Sequence, residues 1–80
     1  MFYTYIIKSL TRNWYYVGIT TNLSERFAAH LQGKNKSTKA YRPFKLIFVQ
    51  ISKTRMQARD LEKYLKVKYN KESIIKLIEG

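Results

Sequence analysis

The sequence has no cysteine and little proline or glycine: one proline and three glycines occur in 80 residues. Without cysteine, neither a disulfide nor a thiolate zinc site can support the fold. A domain of this length buries only about 60% of the surface that its unfolded chain exposes, so its stability depends on one compact apolar core. We therefore predict a single domain that spans residues 1–80.

Acidic residues are also scarce, since five Asp and Glu stand against sixteen Lys and Arg and give a formal net charge of +11. The composition, with 45% hydrophobic and 26% charged residues, is that of a folded chain and not of a disordered one. A large positive field opposes folding by self-repulsion and is typical of proteins that bind a polyanion. Nucleic acid is therefore the expected partner.

A long apolar run is missing as well. A membrane-spanning helix requires about 18 consecutive apolar residues, whereas the longest uncharged stretch, residues 13–24, contains Gly18 and the polar residues Thr20, Thr21 and Asn22. Residues 1–8 lack the basic start and the apolar length of a secretory signal. Together with the lack of cysteine, these features predict a cytoplasmic protein that does not enter the membrane.

The pattern of apolar residues predicts three strands. Residues 2–8 and 14–20 are rich in aromatic and β-branched side chains and are separated by five residues, which predicts a β-hairpin. Residues 44–51 are nearly all apolar after Lys45, as in a central strand that is buried on both faces. Residues 33–42 are mostly Lys, Asn, Ser and Thr, and predict an exposed basic loop that ends at Pro43.

Three further segments predict helices, which gives the order β-β-α-β-α-α and an α+β fold: a small three-stranded antiparallel sheet flanked by three helices. The first is bounded by an Asn22–Glu25 capping box and by Gly33. The second begins at Thr54 and reaches about Lys68. The third runs from near Lys71 to Glu79, with Asn70 as its cap. The apolar positions are Leu23, Phe27 and Leu31, then Met56, Ala58, Leu61 and Leu65, then Ile74, Ile75, Leu77 and Ile78.

The few carboxylates limit any metal chemistry. Asp60 and Glu62 lie two positions apart, so on a helix they point to nearly opposite sides and cannot share an ion. Glu62 lies at the edge of the apolar helix face, where its carboxylate can project into a cleft or pair with Lys66 one turn away. A two-metal site is therefore not expected. The acidic residues are Glu25, Asp60, Glu62, Glu72 and Glu79, of which Glu79 is expected at a frayed terminus.

Arg26 and His30 lie four residues apart on the first helix. A guanidinium can hold a phosphate through two parallel hydrogen bonds, and a neutral imidazole can accept a proton near neutral pH. The alternative is a solvated arginine and a histidine favoured by the helix dipole. In the hairpin, Tyr5 and Tyr16 are expected to lie near each other. Gly18 weakens its strand, which indicates that another group approaches the backbone there.

These residues carry a family pattern: the sequence resembles the GIY-YIG nuclease superfamily, in its small stand-alone form related to the nuclease domain of an excision repair subunit. The first signature falls on Tyr3-Thr4-Tyr5, with Tyr3 in place of the glycine, and the second on Tyr16-Val17-Gly18. Further matches are Ile19-Thr20, Asn22-Leu23, Arg26, His30-x-x-Gly33, Thr38, Arg42-Pro43-Phe44 and Ala58-x-x-x-Glu62-x-x-x-Lys66.

The resemblance implies five catalytic residues. It makes Glu62 the sole protein ligand of one divalent metal, Mg²⁺ or Mn²⁺, and Arg26 the clamp on the scissile phosphate. It leaves Tyr5, Tyr16 and His30 as alternatives for activating the attacking water. A phenol with an ordinary pKa near 10 needs a positive field to act as a base, which the net charge of +11, Arg26 and a nearby metal are together expected to supply.

The implied function is a metal-dependent endonuclease that hydrolyses phosphodiester bonds in duplex or branched DNA, in the context of DNA repair. Its cutting is expected to be structure-selective or of low specificity, or to be targeted by a protein partner. The alternative is a non-catalytic basic nucleic-acid-binding module of the same fold, and both predict phosphate contacts. An adaptor for an acidic protein explains the charge but not the pattern. The expected contact residues are Lys34, Lys36, Lys39, Arg42, Lys63 and Lys66.

Overall fold

The computed structural model describes residues 1–79 and confirms the β-β-α-β-α-α order of the α+β fold. Among these residues, no helix combines the length and the apolar character needed to cross a bilayer. The elements are β1 (Phe2–Ser9), β2 (Tyr15–Thr20), α1 (Leu23–Gln32), a short 3-10 helix (Lys39–Tyr41), β3 (Phe44–Ser52), α2 (Arg55–Lys66) and α3 (Lys68–Glu79).

The three strands form one antiparallel sheet in the order β2-β1-β3. The central strand is β1, in which Tyr5, Ile6 and Ile7 are at most 1% exposed. The prediction that residues 44–51 form a central strand is wrong, because β3 pairs only with β1. The outer half of β3 reaches the surface, where Val49 and Ile51 are 38% and 52% exposed.

The apolar run of β3 nevertheless has a physical reason. Leu46 packs on one side of the sheet, whereas Ile47 and Phe48 pack on the other side. This change of side coincides with a register shift in the pairing of β1 with β3, between Ile6 and Ile7. The run is apolar because it contributes to both layers around this irregularity, and not because strands flank β3 on both sides.

Helices cover both faces of the sheet. On one face, the buried cluster of Tyr5, Ile7 and Phe44 packs against Leu23 and Phe27 of α1. On the other face, a second buried cluster packs against α2 and α3; its members are Ile6, Val17 and Leu65, with Leu61 and Ile74 beside them. The side chains of β1 alternate between these two clusters, as a pleated strand requires.

The ends of α1 follow the predicted pattern. The Asn22 side chain accepts a hydrogen bond from the Glu25 amide at 3.1 Å and donates one to the Glu25 carboxylate at 3.3 Å. Gly33 takes a left-handed conformation, with φ of 76°, and its amide contacts the carbonyls of Ala29 and His30. These contacts satisfy backbone groups that a helix end leaves without partners.

The predicted start of the last helix is wrong, whereas its predicted extent to Glu79 is confirmed. Helix α3 begins at Lys68, and Asn70 lies within it instead of capping it. Val67, in an extended conformation, separates α2 from α3. The side-chain amide of Asn70 donates a hydrogen bond to the backbone carbonyl of Tyr64 at 3.0 Å, and this bond connects the start of α3 to the last turn of α2. Met56, predicted to be apolar core, lies in the first turn of α2 and is 74% exposed.

Two other segments make more contacts with the rest of the protein than predicted. The basic loop of residues 33–42 contains the 3-10 helix and one fully buried side chain, Thr38. Glu79, expected at a frayed end, accepts hydrogen bonds from Lys8 Nζ at 2.8 Å and from the Tyr15 hydroxyl at 2.9 Å. This contact fastens the last turn of α3 to the β1–β2 hairpin.

Candidate active site

A cleft of about 420 Å³ opens where the sheet, α1 and α2 meet. Strands β1 and β2 contribute Tyr5 and Tyr16 to its lining, α1 contributes Arg26, and α2 contributes Glu62. Four of the five residues expected to be catalytic therefore line one cleft. The fifth, His30, lies behind Tyr5 and contacts its hydroxyl.

The register of the hairpin brings the two phenols together. Tyr5 is opposite Gly18, and Tyr16 is opposite Ile7, two positions along the same face of the sheet. The ring centroids of Tyr5 and Tyr16 are 6.4 Å apart. The prediction that these two tyrosines lie near each other is thus confirmed, through a diagonal cross-strand contact.

Gly18 makes room for the phenol of Tyr5. A Cβ atom at position 18 would lie 2.5 Å from the Tyr5 hydroxyl oxygen and 2.7 Å from Cζ of the same ring. Separations this short are far inside van der Waals contact, so any larger residue would displace the ring. This close approach is what the glycine in the strand indicated.

A buried hydrogen-bond chain extends from Tyr5 into the protein. The Tyr5 hydroxyl is 2.9 Å from His30 Nε2, and His30 Nδ1 is 2.9 Å from Thr38 Oγ1. The Thr38 hydroxyl in turn donates to the Asn35 carbonyl at 3.4 Å. Because a carbonyl only accepts, this arrangement assigns the proton of neutral His30 to Nδ1, and Nε2 accepts from Tyr5. His30 is fully buried and has a hydrogen-bond partner at each ring nitrogen, which a histidine placed only by the helix dipole does not require.

The pKa shifts follow from this burial. Loss of solvation raises the pKa of Tyr5, with a further increase from Tyr16, whereas the charge of Arg26 lowers it by a smaller amount. Among the protein groups alone, burial therefore raises the pKa of Tyr5 more than the charge of Arg26 lowers it. Burial, followed by the charge of Arg26, lowers the pKa of His30. The imidazole is thus unprotonated at neutral pH and able to accept a proton.

Glu62 fits both of its predicted environments. Its carboxylate is 3.3 Å from Lys66 Nζ one turn away, and its side chain is 24% exposed. It also lines the cleft beside Tyr5 and Arg26, and it is the one acidic side chain in that lining. Asp60 lines a different cleft. Within residues 1–79, no three His, Cys, Asp or Glu side chains cluster as metal ligands.

The GIY-YIG catalytic domain family matches residues 1–75 of the sequence. The chain belongs to the GIY-YIG family. Because this is a nuclease family, membership supports a nuclease-type function with nucleic acid as the substrate. The GIY-YIG match includes both signature tripeptides, Arg26, His30 and Glu62.

Three similar proteins extend the comparison. The chain is 38% identical to the UPF0213 protein YazA of Bacillus subtilis over 63 residues, 78% of this chain, and spans 63% of the length of that relative. It is 35% identical to the UPF0213 protein SH2523 of Staphylococcus haemolyticus over 78 residues, 96% of this chain and 93% of the relative. The solution NMR structure of the UPF0213 protein BH0048 from Bacillus halodurans is 28% identical, with a TM-score of 0.61 over 100% of this chain and 88% of the other.

The basic residues of this GIY-YIG protein separate into two groups. Lys34, Lys36 and Lys63 line clefts that share residues with the candidate-site cleft, and Lys39 and Arg42 line a further cleft that contains Lys36. Arg42 also has a structural contact, because its guanidinium lies over Gly33 and donates to the Gln32 carbonyl at 3.1 Å. Lys66 lines none of these clefts and pairs with Glu62.

Two arginines near the site were missed in the sequence. Arg55 and Arg59 both line the central cleft of the GIY-YIG domain, on the α2 side opposite Arg26. Arg55 lies over the ring of Phe2, with 5.4 Å between its Cζ atom and the ring centroid. Their spacing contained the signal, because positions 55, 59 and 62 follow one face of a helix.

Proposed function

We propose that this protein is a metal-dependent endonuclease that hydrolyses phosphodiester bonds in DNA with the help of one divalent cation. One observation carries the proposal: a single cleft gathers two phenols, a guanidinium and a carboxylate, and one phenol is bonded to an unprotonated histidine. These groups are the ones that phosphodiester hydrolysis requires, namely a phosphate clamp, a proton acceptor and a metal ligand.

Arg26 is the proposed clamp on the scissile phosphate. Its side chain is exposed and lines both the central cleft and the adjoining one. Among the ion pairs within residues 1–79, none involves Arg26. Its guanidinium is therefore available to bind a phosphate through two parallel hydrogen bonds and to stabilise the charge that develops on it.

Tyr5 and His30 are the proposed base. As the attacking water loses a proton to the Tyr5 oxygen, Tyr5 passes its own proton to His30 Nε2, 2.9 Å away. This transfer avoids a free phenolate, which the raised pKa of Tyr5 makes unfavourable. Tyr16, on the same wall of the cleft, bounds the water and orients it by its hydroxyl.

Glu62 is the proposed metal ligand. A hard cation such as Mg²⁺ or Mn²⁺ is commonly held by one or two carboxylates, with water and phosphate oxygens completing its shell. The single half-buried carboxylate in the cleft fits this requirement. When bound, the cation would stabilise negative charge on the phosphate and on the leaving oxygen.

The test is the nicking of supercoiled plasmid and of a branched duplex, with Mg²⁺ and with a chelator. We expect nicking that requires the metal and that falls about 10²–10³-fold in Arg26→Gln, the size expected for loss of one preorganised charge contact. Arg12→Gln is the matched control, because it removes an exposed guanidinium in the β1–β2 loop outside the cleft. Binding without nicking of any duplex, branched or single-stranded DNA would replace the nuclease with the non-catalytic binding module.

A further inference from the structure

The hydroxyl group of Thr38 is buried in a segment whose other polar side chains reach the surface. Thr38 is 0% exposed, whereas its neighbours Ser37 and Lys39 are exposed. A buried hydroxyl destabilises the fold unless it is hydrogen-bonded. The Thr38 oxygen is 2.9 Å from His30 Nδ1 and 3.4 Å from the carbonyl oxygen of Asn35. Its polar contacts therefore connect the segment directly to the ring of His30.

Two further hydrogen bonds hold the segment that carries Thr38. The Arg42 guanidinium donates to the Gln32 carbonyl at 3.1 Å, so it connects the end of the segment to the last residue of α1. Ser9 of β1 donates its hydroxyl to the Tyr41 carbonyl at 2.6 Å, and Ser9 is itself 2% exposed. The position of the Thr38 hydroxyl is thus fixed relative to both α1 and the sheet.

The directions of these hydrogen bonds leave His30 able to change its charge in place. Because the Asn35 carbonyl only accepts, Thr38 donates to it and accepts from His30 Nδ1. Nε2 of neutral His30 then has a free lone pair that faces the Tyr5 hydroxyl. When His30 binds a second proton, both of its ring nitrogens are donors, and the oxygens of Thr38 and Tyr5 can accept from them. The ring therefore gains or loses a proton at Nε2 without exchanging partners.

We propose that Thr38 is a positioning residue for the proposed nuclease reaction, which fixes His30 in the tautomer whose Nε2 can accept the proton of Tyr5. As the attacking water gives a proton to the Tyr5 oxygen, the Tyr5 proton moves to Nε2, and Thr38 keeps its own proton. Thr38 does not line the central cleft, so it acts only through His30. The inference deepens the proposed function, on which it rests for the reaction.

Removal of the hydroxyl should favour the opposite tautomer. In Thr38→Val a methyl group replaces the hydroxyl, and a proton on Nδ1 would be a buried donor without an acceptor, which is unfavourable. The proton is then expected on Nε2, where it donates to the Tyr5 oxygen while Tyr5 turns its own proton towards the cleft. In that state Nε2 cannot accept from Tyr5, although the groups that line the cleft are unchanged.

The test measures the His30 tautomer, nicking and DNA affinity in the same proteins. NMR spectra of isotope-labelled protein near neutral pH identify the ring nitrogen that carries the proton. We expect Nδ1–H in the wild type and Nε2–H in Thr38→Val. Single-turnover nicking by Thr38→Val should fall about 10²-fold, the lower end of the contribution of a positioned base. Its affinity for a DNA duplex in chelator should be unchanged, because Thr38 does not line the cleft.

Two variants of the same segment serve as controls. Thr38→Ser keeps the hydroxyl, so it should keep the wild-type tautomer and most of the nicking. Ser37→Ala removes the neighbouring hydroxyl, which is exposed and bonds to the Asn35 side chain at 2.7 Å. This change should alter neither the His30 tautomer nor nicking.

Three results would overturn the positioning role. A wild-type His30 with its proton on Nε2 would contradict the hydrogen-bond directions, and this result needs no variant to fold. Full nicking by a folded Thr38→Val would show that the tautomer does not limit the reaction. An equal loss in Ser37→Ala would mean that the segment acts through its structure alone. A wild type that nicks no DNA contradicts the proposed function, and the tautomers of the wild type and Thr38→Val then decide by themselves whether Thr38 fixes His30.

Discussion

The candidate site has a buried half and an exposed half, and the two are suited to different chemistry. Tyr5, His30 and Thr38 are almost without solvent contact and are joined by hydrogen bonds of 2.9 Å. Arg26 and Glu62 border the same cleft from two helices but keep their charged ends near solvent. The proposed proton-transfer groups are thus fixed by the core, whereas the proposed phosphate and metal ligands remain free to meet a substrate.

This division has a physical reason. Proton transfer depends on short, aligned hydrogen bonds and on a defined histidine tautomer, and burial maintains both. A fully buried arginine or glutamate would lose solvation at a large cost unless it were paired. The exposed half therefore retains its charges at small cost to folding, and substitutions in the two halves are expected to separate activity from stability.

The largest effect is expected in the exposed half, from Glu62→Gln. Loss of the proposed metal ligand should reduce nicking about 10³-fold, since metal stabilisation of the transition state amounts to several kcal/mol. Stability should change by less than about 0.5 kcal/mol, because only a solvent-accessible pair with Lys66 is lost. Plasmid nicking measures the activity, and urea unfolding measures the stability. Glu72→Gln, which breaks the similar pair with Lys68, should change neither by more than a small amount, and full activity of Glu62→Gln would reject the metal site.

Tyr5→Phe should disrupt the buried half of the site and lower both the nicking activity and the free energy of unfolding. Nicking should decrease about 10²–10³-fold, the usual contribution of a positioned base. The free energy of unfolding should fall by about 1–3 kcal/mol, because His30 Nε2 loses its partner in the core. Tyr15→Phe is the matched control, since Tyr15 packs on the opposite face of the sheet. Unchanged nicking in Tyr5→Phe would transfer the role of base to Tyr16.

Gly18→Ala should show how strongly activity and stability depend on the position of the Tyr5 ring. The added methyl group meets the Tyr5 ring, which the core holds in place, so the phenol must move away from His30. Overpacking of this kind costs about 1–3 kcal/mol of stability, and a displacement near 1 Å can reduce turnover about 10²-fold. The ring resonances of Tyr5 and His30 in NMR spectra should shift. Normal activity in this variant would show that the ring position is not critical.

Lowering the pH should protonate His30 and abolish nicking while the protein is still folded. Burial holds the pKa of His30 below its ordinary value of about 6.5. Nicking should be constant above about pH 6.5 and should fall about tenfold per pH unit below the lowered pKa, as the imidazole is protonated and cannot accept. Stability should decline as the pH falls from about 6.5 to the lowered pKa of His30, because over that interval the unfolded chain binds a proton that the folded chain does not. NMR titration of His30 should give the same midpoint as the nicking profile; different midpoints would exclude His30 as the acceptor.

The smallest effect concerns the contact of Glu79 with the hairpin, far from both halves of the site. Hydrogen bonds from Lys8 and then Tyr15 lower the pKa of Glu79. The contact is therefore complete above the ordinary pKa of a glutamate, about 4.3, and is lost as the pH falls through the lowered value. In Tyr15→Phe the pKa of Glu79, followed by NMR, should move up towards the ordinary value with nicking unchanged. Tyr69→Phe, at an exposed position, is the control. If Glu79 titrates with the same pKa in the wild type, Tyr15→Phe and Tyr69→Phe, the contact between Tyr15 and Glu79 is absent.

Much of the fold could be predicted because the decisive signals are local. Asn22, Glu25 and Gly33 bound α1 through contacts a few residues apart, and Thr54 begins α2 in the same way. The position of β3 at the edge could not be inferred, because an apolar run reveals burial but not which strand lies beside it. Likewise, Asn70 resembles a cap in the sequence, whereas its partner is the Tyr64 carbonyl of the preceding helix.

The sequence names a set of candidate site residues but not their arrangement. The resemblance singled out Tyr5, Tyr16, Arg26, His30 and Glu62, and four of these line the cleft. Neither the burial of His30 nor its contact with Thr38 follows from residues 33–42, whose polar composition indicates a loop at the surface. Nor does the net positive charge indicate that burial raises the pKa of Tyr5, because desolvation acts locally and the mean charge of the chain does not.

The position of Tyr5 in the central strand has a consequence for how such sequences diverge. Tyr5 and His30 fill the core as well as the site, so selection for folding alone is enough to retain them. Arg26 and Glu62 have no such second role, because each is solvent-accessible. A lineage that gave up cutting but kept the fold would lose the arginine and the glutamate first, while the tyrosine signatures persisted. Under the proposed function, Arg26 and Glu62, and not the signature tyrosines, are thus the positions that would distinguish active from inactive descendants.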